Sequence, residues 1–279
     1  MKHWYLWWCV LAFLIVLVVC RKQKHSVLLT ETVDVAIEDT LRRTRFLDPH
    51  GATYEIGLKG VELGLIPHPY LQSQRMIQPL PLQIFFSEEE IPEMKILRDN
   101  YPVILEELKQ IIDIGPRTFR DVPDPIYRKN MWKQFILYDG GKKVIQNCAK
   151  CPQTTKIIEK MNNATSLNTT SVIGFSNIYP GTKIVPHTGV SNDRVRIHLG
   201  LIVPENCFIE IAGQRMHWNE GEVFAFSDAF VHSAQNNGNQ NRYILICDVW
   251  NPHLTKKQRE FEKENFTAIN KAVQEDHSR

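Results

Sequence analysis

From Ser171 onward, short apolar runs alternate with turn residues along the chain. The runs are SVIGFSNIY, RVRIHLGLIV, CFIEIA, EVFAFS and RYILICDVW. Runs of strand length at this spacing are typical of an antiparallel sandwich or a small barrel. The pattern therefore predicts a mainly β fold whose core is a double-stranded β-helix of jelly-roll or cupin-like type.

Helical patterns flank these predicted strands. IPEMKILRDNYPVILEELKQIID carries an apolar stripe at helical spacing, and in CPQTTKIIEKM a proline stands where a first turn begins. The charged tail TKKQREFEKENFTAINKAVQ predicts an amphipathic helix. WKQFILYDGGKKV instead predicts a hairpin that turns at Asp139-Gly140-Gly141.

The N-terminus carries an uncharged apolar run, WYLWWCVLAFLIVLVVC, at residues 4–20. About 17 residues is the length of the shortest membrane-spanning helices, and the aromatic residues cluster at one end as in an interfacial belt. A cleaved signal peptide is the alternative, although the small-residue pattern before a cleavage site is poor. We predict an N-terminal transmembrane helix with its basic flank at 1–24, an extended linker at 25–84, the jelly-roll domain at 85–254 and a C-terminal helix at 255–279.

Two features disagree about the orientation of this anchor. The basic residues of RKQKH, after the run, outnumber Lys2 before it, and the positive-inside rule would then keep the main domain in the cytosol. N-glycosylation sequons at Asn163, Asn168 and Asn265 favour a lumenal domain instead.

Composition and charge are those of an ordinary globular protein, with 43% hydrophobic residues, 23% charged residues and a net charge of +2. Because there is no long basic run, nucleic acid is a poor candidate partner. Six cysteines in 279 residues are too few for a disulfide scaffold. Cys148 and Cys151 form a CxxC that fits a disulfide in a lumenal domain or a pair of free thiols, and no second CxxC completes a zinc site.

Basic side chains recur on a strand that is otherwise apolar. In RVRIHLGLIV, a period of two places Arg194, Arg196 and His198 on one face and the apolar residues on the other. The basic face is either solvated or turned into a barrel.

Three further residues favour the barrel interior. His187, His232 and Arg242 lie at the ends of extended segments, where a jelly roll brings side chains together. Neutral imidazoles bind divalent first-row metals, and a buried guanidinium needs an anion. The set suggests a metal beside a bound dicarboxylate. The usual iron triad adds a carboxylate two residues after the first histidine, where this chain has Gly189.

Long ordered motifs give this site a specific resemblance. PHTGVSNDRVRIHLGLIVP, WNEGEVFAFSDAFVH, DVWNPHLT and NCAKCPQTTKIIEK resemble the aspartyl/asparaginyl β-hydroxylase family, above all its short branch of aspartate β-hydroxylase domain-containing membrane proteins. The resemblance runs from about Phe85 to the NPHLT segment. In that family glycine stands where the carboxylate ligand would be, so Gly189 fits its pattern.

The resemblance implies six site residues, all of the family's residue type: His187, His232, Ser176, Arg196, His198 and Arg242. The first two would be the catalytic metal ligands and would hold Fe(II). Arg242, helped by Ser176, would bind the carboxylate of 2-oxoglutarate that lies away from the metal. Arg196 and His198 would contact the carboxylate beside it.

The implied activity is that of a membrane-anchored dioxygenase. It would use Fe(II), 2-oxoglutarate and O2 to hydroxylate the β-carbon of Asp or Asn in protein substrates such as EGF-like domains. The resemblance also implies a type II anchor with a lumenal domain in the ER or Golgi. Two alternatives remain open, a catalytically inactive jelly-roll binding module that keeps the pocket and a jelly roll that uses another metal.

Other polar residues near these motifs have simpler interpretations. Asp228 either orients His232 or closes a turn, and Asp193 is expected to be exposed. His253 is expected at the surface and His68 in a loop. Trp218 precedes a turn and receives no role.

Overall fold

The computed structural model describes residues 58–64, 67–71, 73, 76–122, 131–167 and 169–277. Its strands are β1 (Phe85–Phe86), β2 (Arg120–Asp121), β3 (Trp132–Asp139), β4 (Lys142–Lys143), β5 (Val172–Ile178), β6 (Thr182–His187), β7 (Arg194–Ile202), β8 (Cys207–Ile211), β9 (Gln214–His217), β10 (Val223–Phe226), β11 (His232–Asn236) and β12 (Arg242–Trp250). Its helices are α1 (Glu93–Asp99), α2 (Tyr101–Ile114), α3 (Ile145–Cys148), α4 (Pro152–Glu159), α5 (Asn162–Thr165) and α6 (Lys256–His277), and a 3-10 turn spans Pro116–Thr118.

The described strands form two antiparallel sheets. The larger has the order β1-β10-β7-β12-β5-β3-β2, with β4 beside β3, and the smaller has the order β6-β11-β8-β9. Strands β5 to β12 contribute four strands to each sheet and cross between them, as in a jelly roll. The predicted mainly β fold is confirmed, as are the predicted hairpin and flanking helices.

Both faces of the larger sheet are buried. Successive residues of its central strands point to opposite faces, so each strand contributes to two clusters. On β7, Val195, Ile197 and Leu199 pack with apolar residues of α2, including Ile104 and Leu108. This is the apolar face that the period of two predicts. The opposite face turns toward the smaller sheet.

Apolar residues from both sheets fill the space between them. The cluster includes Ile178 and Ile244 from the larger sheet and Ile184, Ile209 and Ala234 from the smaller one. The buried polar side chains Ser176, His198, His232 and Arg242 share this interior, so the barrel itself shields them from water.

Two local features follow from particular residues. The helical stretch divides at Asn100, and Pro102 lies in the first turn of α2, where its missing N–H costs no helical hydrogen bond. The hairpin turns at Gly140 and Gly141, whose φ values of 55° and 72° favour glycine.

The predicted anchor at 4–20 lies outside the described residues, as does the sequon residue Asn168. Among the helices that are described, none has both the length and the apolar character needed to cross a bilayer. Much of 67–84, expected to be part of a linker, lies against the barrel, with Leu71 buried beside Phe230.

Candidate active site

Two histidines face each other across the smaller sheet. His187 is the last residue of β6, His232 is the first residue of β11, and the antiparallel register pairs them directly. Their ring centroids lie 4.2 Å apart. Strand pairing alone therefore brings the two predicted metal ligands together.

Both imidazoles are held in the same tautomer. Nδ1 of His187 lies 2.9 Å from the carbonyl oxygen of Val185, and Nδ1 of His232 lies 2.8 Å from that of Phe230. Because a carbonyl oxygen only accepts, each Nδ1 carries a proton, and a neutral ring in this tautomer has its lone pair on Nε2. Burial, reinforced by the His187 ring, lowers the pKa of His232 to about 3. A neutral imidazole of this kind is the form that binds metal.

Packing excludes a carboxylate ligand at position 189. Gly189 lies against the buried carboxylate of Asp228, and a Cβ on Gly189 would overlap the carboxylate atoms. The Gly189 N–H also donates to the Asp228 carbonyl oxygen at 2.6 Å. Within the described ranges, no cluster of three or more His, Cys, Asp or Glu side chains could hold a metal. A metal on the histidine pair would need further ligands from a bound acid or water.

A buried guanidinium lies in the same interior. Arg242 is 2% exposed, and its guanidinium carbon is 4.5 Å from the centroid of the Trp218 ring. Its Nε and Nη1 have no hydrogen-bond partner among the described residues. Burial lowers the pKa of Arg242 to about 10, opposed by the Cys207 thiol, so the group stays charged at neutral pH. A buried charge of this kind favours an anionic ligand.

His198 presents a second donor without a partner. The Trp218 indole N–H donates to His198 Nδ1 at 3.2 Å, so the proton of the imidazole is on Nε2. That Nε2 is buried and has no hydrogen-bond partner in the described part of the chain. Burial, and then the charges of Arg196 and Arg242, lower the pKa of His198 well below its usual value. Neutral His198 can therefore donate to an anion without adding charge.

The donor groups adjoin the histidine pair. The Phe226 ring lies 5.2 Å from the His198 ring and 5.4 Å from the His232 ring. Ser176 is buried on β5, pairs with Ile244 of β12, and accepts the Trp132 indole N–H at 3.0 Å. Its hydroxyl hydrogen can be donated in turn.

Arg196 belongs to a buried network of four charges. Its Nε and Nη2 donate to the two carboxylate oxygens of Asp248 at 2.7 and 2.9 Å, and its Nη1 lies 3.4 Å from Asp228. Arg194 donates to the same Asp228 oxygen through Nε and Nη2 at 3.1 and 2.8 Å. Burial opposes the charged form of Arg196, but both carboxylates outweigh it and raise the pKa. The four charges balance within the network.

The surroundings of Asp193 and Asp228 decide between the interpretations that the sequence allowed for these two residues. Asp193 was expected to be exposed, and this is wrong, because it is fully buried and its backbone pairs with Asn251. Asp228 lies in the turn at 228–229, and its carboxylate accepts from Arg194, whereas Nδ1 of His232 is held by a carbonyl oxygen. Burial acts to raise the pKa of Asp228, but the neighbouring arginines outweigh it and lower the pKa.

The CxxC cysteines are free thiols. Cys148 and Cys151 are both buried, and their thiols donate to the carbonyl oxygens of Leu137 and Asn147. Of the two open alternatives, the structure has the free thiols. His253 is exposed, as expected.

Trp218 is the main residue whose role the sequence did not indicate. It orients His198 by a hydrogen bond and covers the Arg242 guanidinium with its ring. No local pattern could reveal this, because its partners lie on β7 and β12. Only the fold reveals its importance, because Trp218 is 4% exposed although it lies beside the polar NEGE turn.

Comparison with known proteins places the chain in a family. The family model described as Aspartyl/Asparaginyl beta-hydroxylase matches residues 98–252, more than half of the chain. The chain is 36% identical over 167 residues to the mouse (Mus musculus) aspartyl/asparaginyl beta-hydroxylase, covering 60% of this chain and 22% of that protein. It is 29% identical over 208 residues to the human (Homo sapiens) aspartate beta-hydroxylase domain-containing protein 2, covering 68% and 56%.

The matched region is a part of these relatives. The chain spans about a fifth of the length of the mouse hydroxylase and just over half of the human domain-containing protein. Among solved structures, a Pseudomonas putida prolyl-4-hydroxylase overlaps with a TM-score of 0.36 at 12% identity, covering 54% of this chain and 86% of that one. That overlap is too partial to support an inference. The family model is sufficient, and the chain belongs to the aspartyl/asparaginyl beta-hydroxylase family.

Proposed function

We propose that this protein is an Fe(II)- and 2-oxoglutarate-dependent dioxygenase that hydroxylates Asp or Asn side chains of protein substrates. One observation carries the proposal. A histidine pair and a buried guanidinium whose Nε and Nη1 have no hydrogen-bond partner among the described residues share one barrel interior. A metal would bind the histidine pair, and a dicarboxylic acid that chelates this metal would neutralise the guanidinium. Membership of a hydroxylase family supports the reaction class.

The histidine pair would hold the iron. As neutral rings, His187 and His232 would bind the metal through Nε2, and the carbonyl oxygens on Nδ1 keep both rings from turning. Glycine at 189 leaves more of the metal's positions to other ligands than a carboxylate triad would. When bound, the iron, 2-oxoglutarate and O2 would supply the oxidative chemistry, while the protein binds and orients.

The far carboxylate of 2-oxoglutarate would neutralise Arg242. The Nε and Nη1 of the guanidinium have no hydrogen-bond partner among the described residues and would donate to the carboxylate or to water bound beside it. Ser176 would add a hydroxyl donor from the neighbouring strand. Because the site is buried, the pair would form in a medium of low dielectric, where such attraction is strongest.

The carboxylate nearer the metal would meet His198 and Arg196. His198 offers its Nε2 proton, which Trp218 fixes by holding Nδ1. Arg196 is anchored by Asp248 through Nε and Nη2, and its remaining N–H groups would contact the acid. Since the network of Arg194, Arg196, Asp228 and Asp248 is neutral, Arg242 supplies the net positive charge.

We also propose a location and a substrate class. The apolar run at 4–20 and the sequons favour a type II anchor at 1–24 with the jelly-roll domain in the ER or Golgi lumen. EGF-like domains would be the substrates there. Protease protection of the C-terminal domain in sealed microsomes is the expected result, and its digestion from the cytosolic side would contradict this location.

Coupled turnover tests the reaction. The purified protein would be given Fe(II), 2-oxoglutarate, O2 and a panel of EGF-like peptides, and both succinate and oxygen incorporation into peptide would be measured. His232→Ala should abolish both products. His217→Ala is the matched control, because exposed His217 also sets Nδ1 against a carbonyl oxygen, at 3.3 Å from Cys207, but lies outside the barrel.

The outcomes separate the alternatives. Peptide hydroxylation lost in the His232 variant and kept in the His217 variant would support the proposal. Metal-dependent 2-oxoglutarate binding with no turnover on any peptide would favour the inactive binding module instead. Turnover that survives His232→Ala would contradict the assignment of the metal site.

A further inference from the structure

Part of the segment before the family-matched region contacts one of the loops that carry the histidines. We name it the strap: residues 67–84 apart from 72, 74 and 75. The strap meets the loop at 227–231, which leads into His232. Val231 N–H donates to the Tyr70 carbonyl oxygen at 2.7 Å, and Ser227 N–H donates to that of Ile84 at 2.9 Å.

The strap also meets the loop at 188–193, which follows His187. The Ser73 hydroxyl donates to the Gly189 carbonyl oxygen at 2.6 Å. Ile77 and the Asn192 side chain form a reciprocal pair, with the Ile77 N–H on Oδ1 at 2.7 Å and Asn192 Nδ2 on the Ile77 carbonyl oxygen at 3.1 Å. Strap and loop are therefore joined at two points.

Apolar packing fixes the strap in place. Leu71 is 2% exposed and forms an antiparallel bridge with Phe230, two residues before His232. The His68 ring lies edge-on to Phe230 at 5.4 Å. The strap is thus part of the core beside the site.

We propose that the strap is a positioning element of the metal site, which ties the two histidine loops together. The inference rests on the proposed function in taking His187 and His232 as metal ligands. A site with two protein ligands has no third side chain to fix its geometry, and sites tolerate about 0.5 Å of misplacement. The strap lies outside residues 98–252, so it adds to what the family model covers.

Removing one hydroxyl tests the proposal in the full-length chain. Ser73→Ala should weaken Mn(II) binding about three- to tenfold, the effect of one hydrogen bond. Ser73→Thr keeps the hydroxyl and should restore binding. Ser171→Ala is the matched control, because its hydroxyl also donates to a backbone carbonyl oxygen, that of Leu167 at 2.7 Å, away from the histidines.

Two readouts besides activity distinguish positioning from general stability. In metal-free protein, Ser73→Ala should speed hydrogen exchange at the Gly189 amide, and it should alter the EPR spectrum of bound Mn(II). Ser171→Ala should lower Tm without either change.

The results separate this inference from the proposed function. Wild-type Mn(II) binding with an unchanged Ser73→Ala affinity would overturn the strap's role alone. Equal weakening by Ser73→Ala and Ser171→Ala would overturn it as well. A wild-type protein that binds no Mn(II) would overturn the proposed function and the strap's role together.

Discussion

Replacing Arg242 by methionine should make the ligand-free protein more stable while it greatly weakens 2-oxoglutarate binding. The guanidinium is buried and has no carboxylate partner in the described part of the chain. A buried unpaired charge costs stability until a ligand neutralises it. A residue kept for function at the expense of stability should therefore show opposite effects in the two assays.

The size of each effect can be worked out from the burial of Arg242 and from typical magnitudes. The fall in pKa from 12.5 to about 10 corresponds to about 3 kcal/mol of destabilisation. Methionine keeps contact with Trp218 but loses the cation–π attraction, which is about 1–2 kcal/mol. We expect a net gain of about 1–2 kcal/mol in the free energy of unfolding. Loss of the buried pair with the ligand should cost about 2–5 kcal/mol, or at least about 30-fold in affinity.

Thermal unfolding without ligands and 2-oxoglutarate titration with Mn(II) measure the two effects. The gain in stability should be constant from about pH 6 to pH 8, because the lowered pKa of Arg242 still lies well above that range. Arg215→Met is the matched control, since Arg215 is exposed, covers Phe208 and pairs with Glu210. A less stable Arg242→Met protein that binds 2-oxoglutarate normally would refute the reasoning.

Three further predictions follow from named contacts. Gly189→Asp should not complete a carboxylate triad but should lower Tm, since the new side chain overlaps Asp228; a stable variant with tighter Mn(II) binding would contradict this. Trp218→Phe should weaken 2-oxoglutarate binding about three- to tenfold by freeing His198 Nδ1, with little change in Mn(II) affinity without 2-oxoglutarate, both measurable by calorimetry. Asn163 should carry no glycan in folded protein, because its side chain bonds to two other side chains; mass spectrometry after deglycosylation would find any modified Asn163.

The alternation of residues along the strands made much of the site predictable. With a period of two, Arg196 and His198 had to share a face, and the apolar partners had to pack on helices. Residue type and position could suggest that His187 and His232 hold a metal, but their direct pairing could not be predicted, because the register depends on how β6 and β11 meet. That register is a property of the whole barrel.

The features that could not be predicted depend on contacts between distant segments. Asp193 looks like a loop residue, yet the loop is buried against Asn251. Trp218 precedes a turn but reaches two strands, and Leu71 lies in a proline-rich stretch with no periodicity. In each case the local pattern is polar or irregular, and burial is decided by a partner far along the chain.

The most direct test of the central claim is the charge-transfer absorption of Fe(II) and 2-oxoglutarate, recorded anaerobically on the purified protein. The account predicts an absorption band that requires both components and that is lost in His232→Ala and in Arg242→Met. The band should persist in His217→Ala and Arg215→Met. A wild-type protein that binds 2-oxoglutarate without any metal dependence, or a band unaffected by His232→Ala, would contradict the claim that these residues form one site.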